Sequence, residues 1–226
     1  PAMHRYVRLR KKMLGVDALH FYDVYAPLVG DLKKSYSYET AQEMVLKAVA
    51  PLGEDYQATV RKAYAERGID VDEVGRKYVY VLNKVLEAKP EDMTVTMHIC
   101  RGNFRSTWSS SGGYEPVAEI LFGHCNVDGF FLEYDSDRAG GFEPLRYIGK
   151  QKVVLGLVTS KDAKLENKED VIARIREASK YVPLEQLALS PQCGFASTEE
   201  GNLVTDADQW SKLALVKEIA EEVWAD

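Results

Sequence analysis

The sequence is poor in cysteine and histidine and contains no long apolar run. Three cysteines and four histidines occur among 226 residues. An odd number of widely spaced cysteines argues against a disulfide framework and favours a reducing compartment. No apolar stretch approaches the roughly 20 residues that span a bilayer, and the basic start lacks the apolar segment of a signal peptide. We therefore expect a cytoplasmic protein with no membrane partner.

The sequence also has no excess of positive charge. The formal net charge is -6 at pH 7, which argues against nucleic acid as a partner. Hydrophobic residues make up 46% of the chain and charged residues 28%, as in ordinary globular proteins. The length suits one or two domains with a substantial core.

The first part of the chain, residues 1–70, has the pattern of an all-helical segment. Good helix formers with apolar residues at three- and four-residue spacing occupy 38–50. Proline and glycine interrupt the helical stretches at Pro27, Pro51 and Gly68. Another helix is predicted over 72–88, because Asp70 and its neighbours suit a helix N-terminus.

The second part, residues 71–226, alternates apolar strands with long polar loops and helices. Strands are predicted at about 93–100, 129–134, 152–158 and 186–190, and helices at about 114–123, 168–181 and 206–224. This alternation is typical of parallel βα units with right-handed crossovers. The predicted fold class is α/β, a (β/α)8 TIM-barrel-like fold represented by four βα units.

Half of a barrel leaves two open sheet edges and an uncovered inner face. Either the N-terminal helices cover that face, or two chains combine. A homo-oligomer, with a homodimer as its simplest form, is the expected assembly.

Four potential metal ligands follow the predicted strands. His98 and Cys100 are two residues apart on the first strand, so both point to the same face. Glu133 ends the second strand, and Cys193 follows the last one. Because the C-terminal ends of parallel strands form one rim, these side chains are expected to meet and to suit a four-ligand zinc site. Taken alone, the His98–Cys100 pair could equally be an ordinary polar pair.

Three motifs, Met97-His-Ile-Cys, Phe130-Phe-Leu-Glu and Pro191-Gln-Cys-Gly, carry a family resemblance. From about residue 68 to 226 the chain resembles the C-terminal half of cobalamin-independent methionine synthase-like proteins. The resemblance implies methyl transfer from 5-methyltetrahydrofolate to homocysteine. It also implies that a catalytic zinc ion is held by four side chains: His98, Cys100, Glu133 and Cys193.

The resemblance has two gaps. Full-length members carry acidic substrate-binding residues on four earlier strands, which have no counterpart here. Methionine synthases proper have a histidine, a candidate proton donor, where this chain has Thr159. The shorter members of the family share this departure.

Residues from about 4 to 67 resemble something else, a helical segment of the oligoendopeptidase F type of M3 metallopeptidases. The resemblance is carried by the motif that begins Leu14-Gly-Val-Asp-Ala-Leu-His. The peptidase chemistry is not carried over, because the chain has no His-Glu-x-x-His. The two resemblances meet near Ile69, which suggests a chimera. A catalytically inactive, zinc-binding chimera or fragment is therefore the alternative to a methyltransferase.

Other polar residues flank the four ligands in sequence. Arg101 and Arg105 could meet a substrate carboxylate, and Ser106 begins a Ser/Gly-rich loop that could bind an anion through its N–H groups. Solvated charges and a mobile loop are the alternatives. Asp135 and Asp137 could orient the metal ligands.

Overall fold

The computed structural model describes residues 61–62, 64–108, 110–196 and 201–225. The chain divides into two compact units, residues 1–68 and 69–226. The helices that the sequence predicts before residue 60 lie outside the described residues. Within the described part, no helix is both long enough and apolar enough to cross a membrane.

From residue 69 onwards, the described residues form four strands and four α-helices in the predicted order. They are α1 (Val71–Leu86), β1 (Thr96–Ile99), α2 (Glu115–His124), β2 (Gly129–Glu133), β3 (Lys152–Val158), α3 (Lys168–Ala178), β4 (Leu187–Pro191) and α4 (Asp206–Val223). The crossover from β2 to β3 is made of two short 3-10 turns, Asp137–Ala139 and Glu143–Tyr147.

The four strands form one parallel sheet in the order β1-β2-β3-β4. His98 lies beside Phe131 in the register of β1 and β2, and Glu133 lies beside Gly156 in that of β2 and β3. Four parallel strands in sequential order are consistent with half of a TIM-barrel-like fold, as predicted.

The two faces of the sheet differ in burial. Alternate residues of β2 and β3 face the helices and are buried, including Phe130, Leu132, Val153 and Leu155. Aromatic rings continue this core, with the Phe122 and Phe130 centroids 5.1 Å apart. The opposite face would line the inside of a barrel, and its residues on β1–β3 include His98, which is exposed, and Phe131 and Val154, which are half-buried. The sheet is therefore covered on one face by its own helices.

Helix α1 begins as the sequence predicts. The Asp70 carboxylate accepts hydrogen bonds from the backbone N–H groups of Asp72, at 2.8 Å, and Glu73, at 3.3 Å. These bonds satisfy N–H groups that have no partner within the helix. The cap therefore fixes where α1 starts.

A buried ammonium group ties α4 to the loop that follows β3. Lys212 is fully buried, and its Nζ lies 3.1 Å from both Glu166 carboxylate oxygens and 2.7 Å from the Lys164 carbonyl. Glu166 also accepts a hydrogen bond from the Thr159 backbone N–H at 2.8 Å. The pair therefore joins the end of β3 to the last helix.

We expect Lys212→Ala to destabilise the fold by about 3 kcal/mol, because the mutation leaves the Glu166 carboxylate without its buried counter-charge. Lys217→Ala is the control, since Lys217 is exposed and pairs with Glu221 along the same helix. Such pairs contribute about 0.5 kcal/mol or less. Urea unfolding measures both variants, and equal losses would contradict the role given to Lys212.

Candidate metal centre

The C-terminal rim of the sheet brings together four side chains that could hold a metal ion. His98, Cys100, Glu133 and Cys193 each offer one ligand atom, and these atoms all lie within 4.8 Å of one another. His98 comes from β1 and Glu133 from β2, while Cys100 and Cys193 lie just beyond β1 and β4. The sheet thus gathers residues that are up to 95 positions apart in the sequence.

The cluster has dimensions close to those of a zinc site. The two cysteine Sγ atoms are 4.0 Å apart, and His98 Nε2 lies 3.8 Å from Glu133 Oε1. Tetrahedral zinc with ordinary bond lengths separates its ligand atoms by roughly 3.3–3.8 Å. Small side-chain movements therefore suffice to close the four donors around an ion. Two sulfurs, one imidazole and one carboxylate are donors that zinc accepts.

Cys193 reaches the cluster because the chain crosses closely over Gly156. A Cβ atom at position 156 would lie 2.7 Å from Gln192 Cα and 2.8 Å from the Leu132 carbonyl oxygen. The register of β3 and β4 shifts at this place, between Gly156 and Val158. Absence of a side chain at Gly156 therefore lets the end of β4 turn inward and bring Cys193 beside His98.

The Glu133 carboxylate is fully buried and has a donor on each oxygen. The Arg101 backbone N–H donates to Oε1 at 3.0 Å, and Arg138 Nη2 lies 3.4 Å from Oε2. The main chain of Glu133 is fixed as well, because its N–H donates to Tyr114 Oη at 2.9 Å and its carbonyl accepts from the same hydroxyl at 3.2 Å. These contacts hold the carboxylate toward the cluster.

Burial raises the pKa of Tyr114 to about 12. The phenol is therefore neutral near pH 7 and keeps the proton with which it holds the Glu133 carbonyl. Tyr114 is a supporting residue that the strand-end pattern did not reveal, because it precedes α2.

Asn103 and Lys161 form a second support, on the Cys193 side. Asn103 Nδ2 donates to the Gly194 carbonyl at 2.6 Å. Lys161 Nζ donates to Asn103 Oδ1 at 3.2 Å and to the carbonyls of Gly102 and Thr107 at 2.9 and 3.1 Å. Burial lowers the pKa of Lys161. These bonds tie the loop after β1 to the residues that follow β3 and β4, and no spacing rule in the sequence identifies them.

The ligands influence one another's protonation when no metal is bound. A hydrogen bond from His98 lowers the pKa of Cys193 to about 7, and the bond with Cys193 raises the pKa of His98. Burial raises the pKa of Cys100. The cluster therefore holds one thiol that ionises near neutral pH and one that stays protonated.

The residues proposed as substrate contacts lie in the loop after β1. The Arg101 side chain is buried, donates to Tyr114 Oη at 3.0 Å and to the Gly112 carbonyl at 2.5 Å, and stacks on the Tyr114 ring. Arg105 and Ser106 have positive φ angles of 45° and 69°, and Ser106 Oγ hydrogen-bonds Asn202 Oδ1. Arg101 is thus engaged in building the site, whereas Arg105 is exposed.

The two aspartates proposed as orienting residues occupy different positions. Asp135 accepts a hydrogen bond from Arg138 Nη2 at 2.8 Å, and the same nitrogen lies near the Glu133 carboxylate. Asp135 therefore influences the candidate ligand Glu133 through Arg138. Asp137 is exposed at the start of a 3-10 turn. Cys125, in contrast, is fully buried in the apolar core.

A cleft of about 570 Å³ opens beside the end of β3. Its lining includes Asp135, Thr159, Glu166 and Arg174, but none of the four candidate ligands. Several of these side chains already have protein partners, such as Glu166 with Lys212. The geometry of the ligand cluster, rather than this cleft, therefore identifies the candidate site.

Known proteins of two different kinds each resemble a part of the chain. The "Uncharacterized protein YxjG" of Bacillus subtilis is 57% identical over 159 residues, which are 70% of this chain and 42% of that protein. "Oligopeptidase PepF" of the same organism is 45% identical over 73 residues, covering 32% of this chain and 11% of the peptidase. No family model matches the chain. The chain spans less than half the length of YxjG.

Solved structures show the same fold. A "Putative Vitamin-B12 Independent Methionine Synthase" from Listeria monocytogenes has a TM-score of 0.53 and 44% identity over 67% of this chain and 42% of its own. A B12-independent methionine synthase from a Shewanella species, in complex with selenomethionine, has a TM-score of 0.54 and 25% identity, covering 67% of this chain and 44% of its own. The described sheet and helices therefore have a methionine synthase-like fold.

We expect Gly156→Ala to lower zinc affinity by roughly 10- to 100-fold, the range found when groups that orient ligands are removed. The added methyl group must push the end of β4 outward and carry Cys193 away from His98. Zinc competition with a chelator measures the effect. Gly123→Ala is the control, because a Cβ there meets nothing within 4 Å. Unchanged affinity in Gly156→Ala would contradict the assignment.

Zinc affinity should rise with pH. Between about pH 7 and 8.5 the Cys100 thiol, whose pKa is raised, still has to lose its proton, so apparent affinity should increase about tenfold per unit. Below pH 7 the slope should steepen, because the Cys193 thiol, whose pKa is about 7, is then protonated as well. Chelator competition across this range, with calorimetry in two buffers to count released protons, tests the expectation. A flat profile would contradict it.

Proposed function

We propose that this chain binds zinc through His98, Cys100, Glu133 and Cys193 and uses it to transfer a methyl group to a thiol. The observation that carries the proposal is the cluster itself, in which four suitable ligand atoms lie within 4.8 Å of one another. Groups that are not ligands hold the cluster in place, including Arg138 on Glu133. Such outer support is typical of metal sites.

The substrate of this proposal is homocysteine, and the methyl donor is 5-methyltetrahydrofolate. Support comes from the Listeria and Shewanella structures, which are described as B12-independent methionine synthases. The Shewanella protein holds selenomethionine, which is methionine with selenium in place of sulfur. A site that accommodates such a molecule suits the product of methyl transfer to homocysteine.

The chemistry requires a deprotonated thiol as the nucleophile. Zinc, when bound, stabilises the thiolate form of a coordinated thiol at neutral pH. Glu133, with both oxygens hydrogen-bonded inside the protein, keeps its place on the rim. His98 and Cys100 are exposed on the open face, so a thiol from solvent can approach the cluster from that side.

A second candidate function is zinc binding without turnover. It is favoured by the length of the relatives, because the chain spans only 42% of YxjG and 42–44% of the two solved structures. The substrate groups other than the thiol would then lack contacts that the remaining part of such proteins supplies. Under this reading the chain is a chimera that joins a peptidase-like helical segment to half of a methyltransferase barrel.

Zinc content and methionine formation separate the two functions. The purified chain should hold one zinc per molecule by native mass spectrometry, and Cys193→Ala should lose it because a ligand is removed. Cys125→Ala, the same change at the core cysteine, should keep the ion. A metal-free wild-type chain would contradict both functions.

The activity assay uses homocysteine and 5-methyltetrahydrofolate. Methionine formed by the wild type and by Cys125→Ala, but not by Cys193→Ala, supports the methyltransferase. Stoichiometric zinc with no methionine in any variant supports the inactive chimera.

A further inference from the structure

We propose that Trp108 and Arg105, in the loop after β1, form a binding platform for the aromatic ring and the carboxylates of the methyl donor. The proposal rests on the proposed function, because 5-methyltetrahydrofolate carries a p-aminobenzoyl ring joined to glutamate. It concerns the place where this donor is held, and it assigns no further role to zinc.

The Trp108 ring lies close to the candidate ligand Glu133. The Arg138 guanidinium lies over the ring, with its Cζ 5.3 Å from the ring centroid. Arg138 Nη2 lies 3.4 Å from Glu133 Oε2, and the Arg138 side chain is only 8% exposed. One guanidinium therefore separates the indole ring from the candidate metal cluster.

Part of Trp108 remains open to a ligand. The residue is 40% exposed, although a large aromatic side chain gains stability when it is buried. A guanidinium over one face of the ring attracts its π electrons, which favours stacking of an electron-rich ring on the open part. The p-aminobenzoyl ring is planar and carries an amine nitrogen, so it is a ring of this kind.

The turn before Trp108 has a backbone conformation that its side chains disfavour. Phe104 and Thr107 exchange two backbone hydrogen bonds, of 3.1 and 2.9 Å, so Arg105 and Ser106 are the central residues of the turn. Both have positive φ angles, 45° and 69°, as in a type I′ turn. Asn and Gly adopt this conformation most readily. Backbone outliers of this kind concentrate at ligand-binding sites.

Contacts on two sides hold the turn in place. Ser106 Oγ hydrogen-bonds Asn202 Oδ1 and accepts from the Leu203 backbone N–H at 3.3 Å. Lys161 Nζ donates to the Thr107 carbonyl at 3.1 Å. The loops after β3 and β4 therefore fix the turn, and a ligand meets a platform that is already ordered.

The two exposed side chains suit one ligand that has both a ring and a carboxylate. Arg105 is exposed in the turn, and a guanidinium matches a carboxylate. Arg105 and Trp108 are three residues apart, so their Cα atoms lie within about 11 Å of each other. In p-aminobenzoylglutamate a short amide link joins the ring to the carboxylates. The tetrahydropterin ring is puckered and has no carboxylate, which makes it the poorer match.

Calorimetric titration of the full chain with 5-methyltetrahydrofolate tests the platform. p-Aminobenzoylglutamate should displace the donor, whereas glutamate at the same concentration should not, because it lacks the ring. Trp108→Ala should raise the Kd of both ring-containing ligands roughly 10-fold or more, as expected when a stacking side chain is removed. Trp108→Phe, which keeps an aromatic ring, should stay within about threefold of the wild type. Trp210→Ala is the control, since Trp210 is an exposed tryptophan on α4, and its Kd should not change.

A second variant tests the carboxylate contact. Arg105→Gln removes the charge and should raise the Kd of p-aminobenzoylglutamate roughly 10-fold, because a charge-assisted hydrogen bond is lost. Lys217→Gln removes an equally exposed cation on α4 and should leave this Kd unchanged.

Three outcomes would overturn the proposal: no binding of the donor, displacement by glutamate alone, or an unchanged donor Kd in Trp108→Ala. Zinc content and circular dichroism show whether each variant keeps its metal site and fold. If Trp108 only shielded Arg138 from water, Trp108→Ala would change zinc affinity and leave the donor Kd unchanged. If Trp108→Ala does not fold, Arg105→Gln and the displacement pattern of the wild type decide.

The platform and the proposed function fail in different ways. Donor binding that depends on Trp108, without methionine formation, counts against the methyltransferase alone. Methionine formation with a wild-type KM for the donor in Trp108→Ala counts against the platform alone.

Discussion

The close passage of one backbone segment over another at Gly156 is the constraint on which the candidate site depends. Three of the four candidate ligands are His98 on β1, Cys100 just beyond it and Glu133 on β2, so the pairing of these two strands brings them close together. The fourth, Cys193, lies past the end of β4 and would point elsewhere if that strand continued straight. The chain at Gln192 passes so close to Gly156 that a Cβ there would lie 2.7 Å from Gln192 Cα, and this close passage lets the chain turn inward. Gly156, which has no side chain that could bind a metal ion, therefore decides whether Cys193 joins the other three candidate ligands.

Much of this architecture could be predicted from periodicity and spacing. The four strands and the helices of residues 69–226 lie close to their predicted positions, because strong apolar runs bounded by polar loops leave few alternatives. His98, Cys100, Glu133 and Cys193 were identifiable because parallel strands end at a common rim. The β2–β3 crossover was less predictable, since 3-10 turns have no strong periodic signal.

The supports of the site could not be predicted in the same way. Arg101 has the charge expected of a residue that contacts a substrate carboxylate, but its side chain is buried against Tyr114. Only the tertiary structure distinguishes a substrate contact from a buried supporting residue. Lys161 and Asn103 act across a gap of 58 positions, which no local pattern encodes. The homo-oligomer suggested by the sequence remains a prediction.

All four candidate ligands come from one continuous stretch of chain, residues 98–193. A barrel built this way can be divided in two without dividing its metal site. In the proposed function, capture of the ion and recognition of the substrate then become separable steps, because every candidate ligand is present once this half has been synthesised. Because the candidate ligands lie in one continuous stretch of chain, a half-barrel of this kind could be joined to an unrelated protein segment and still keep all four of them.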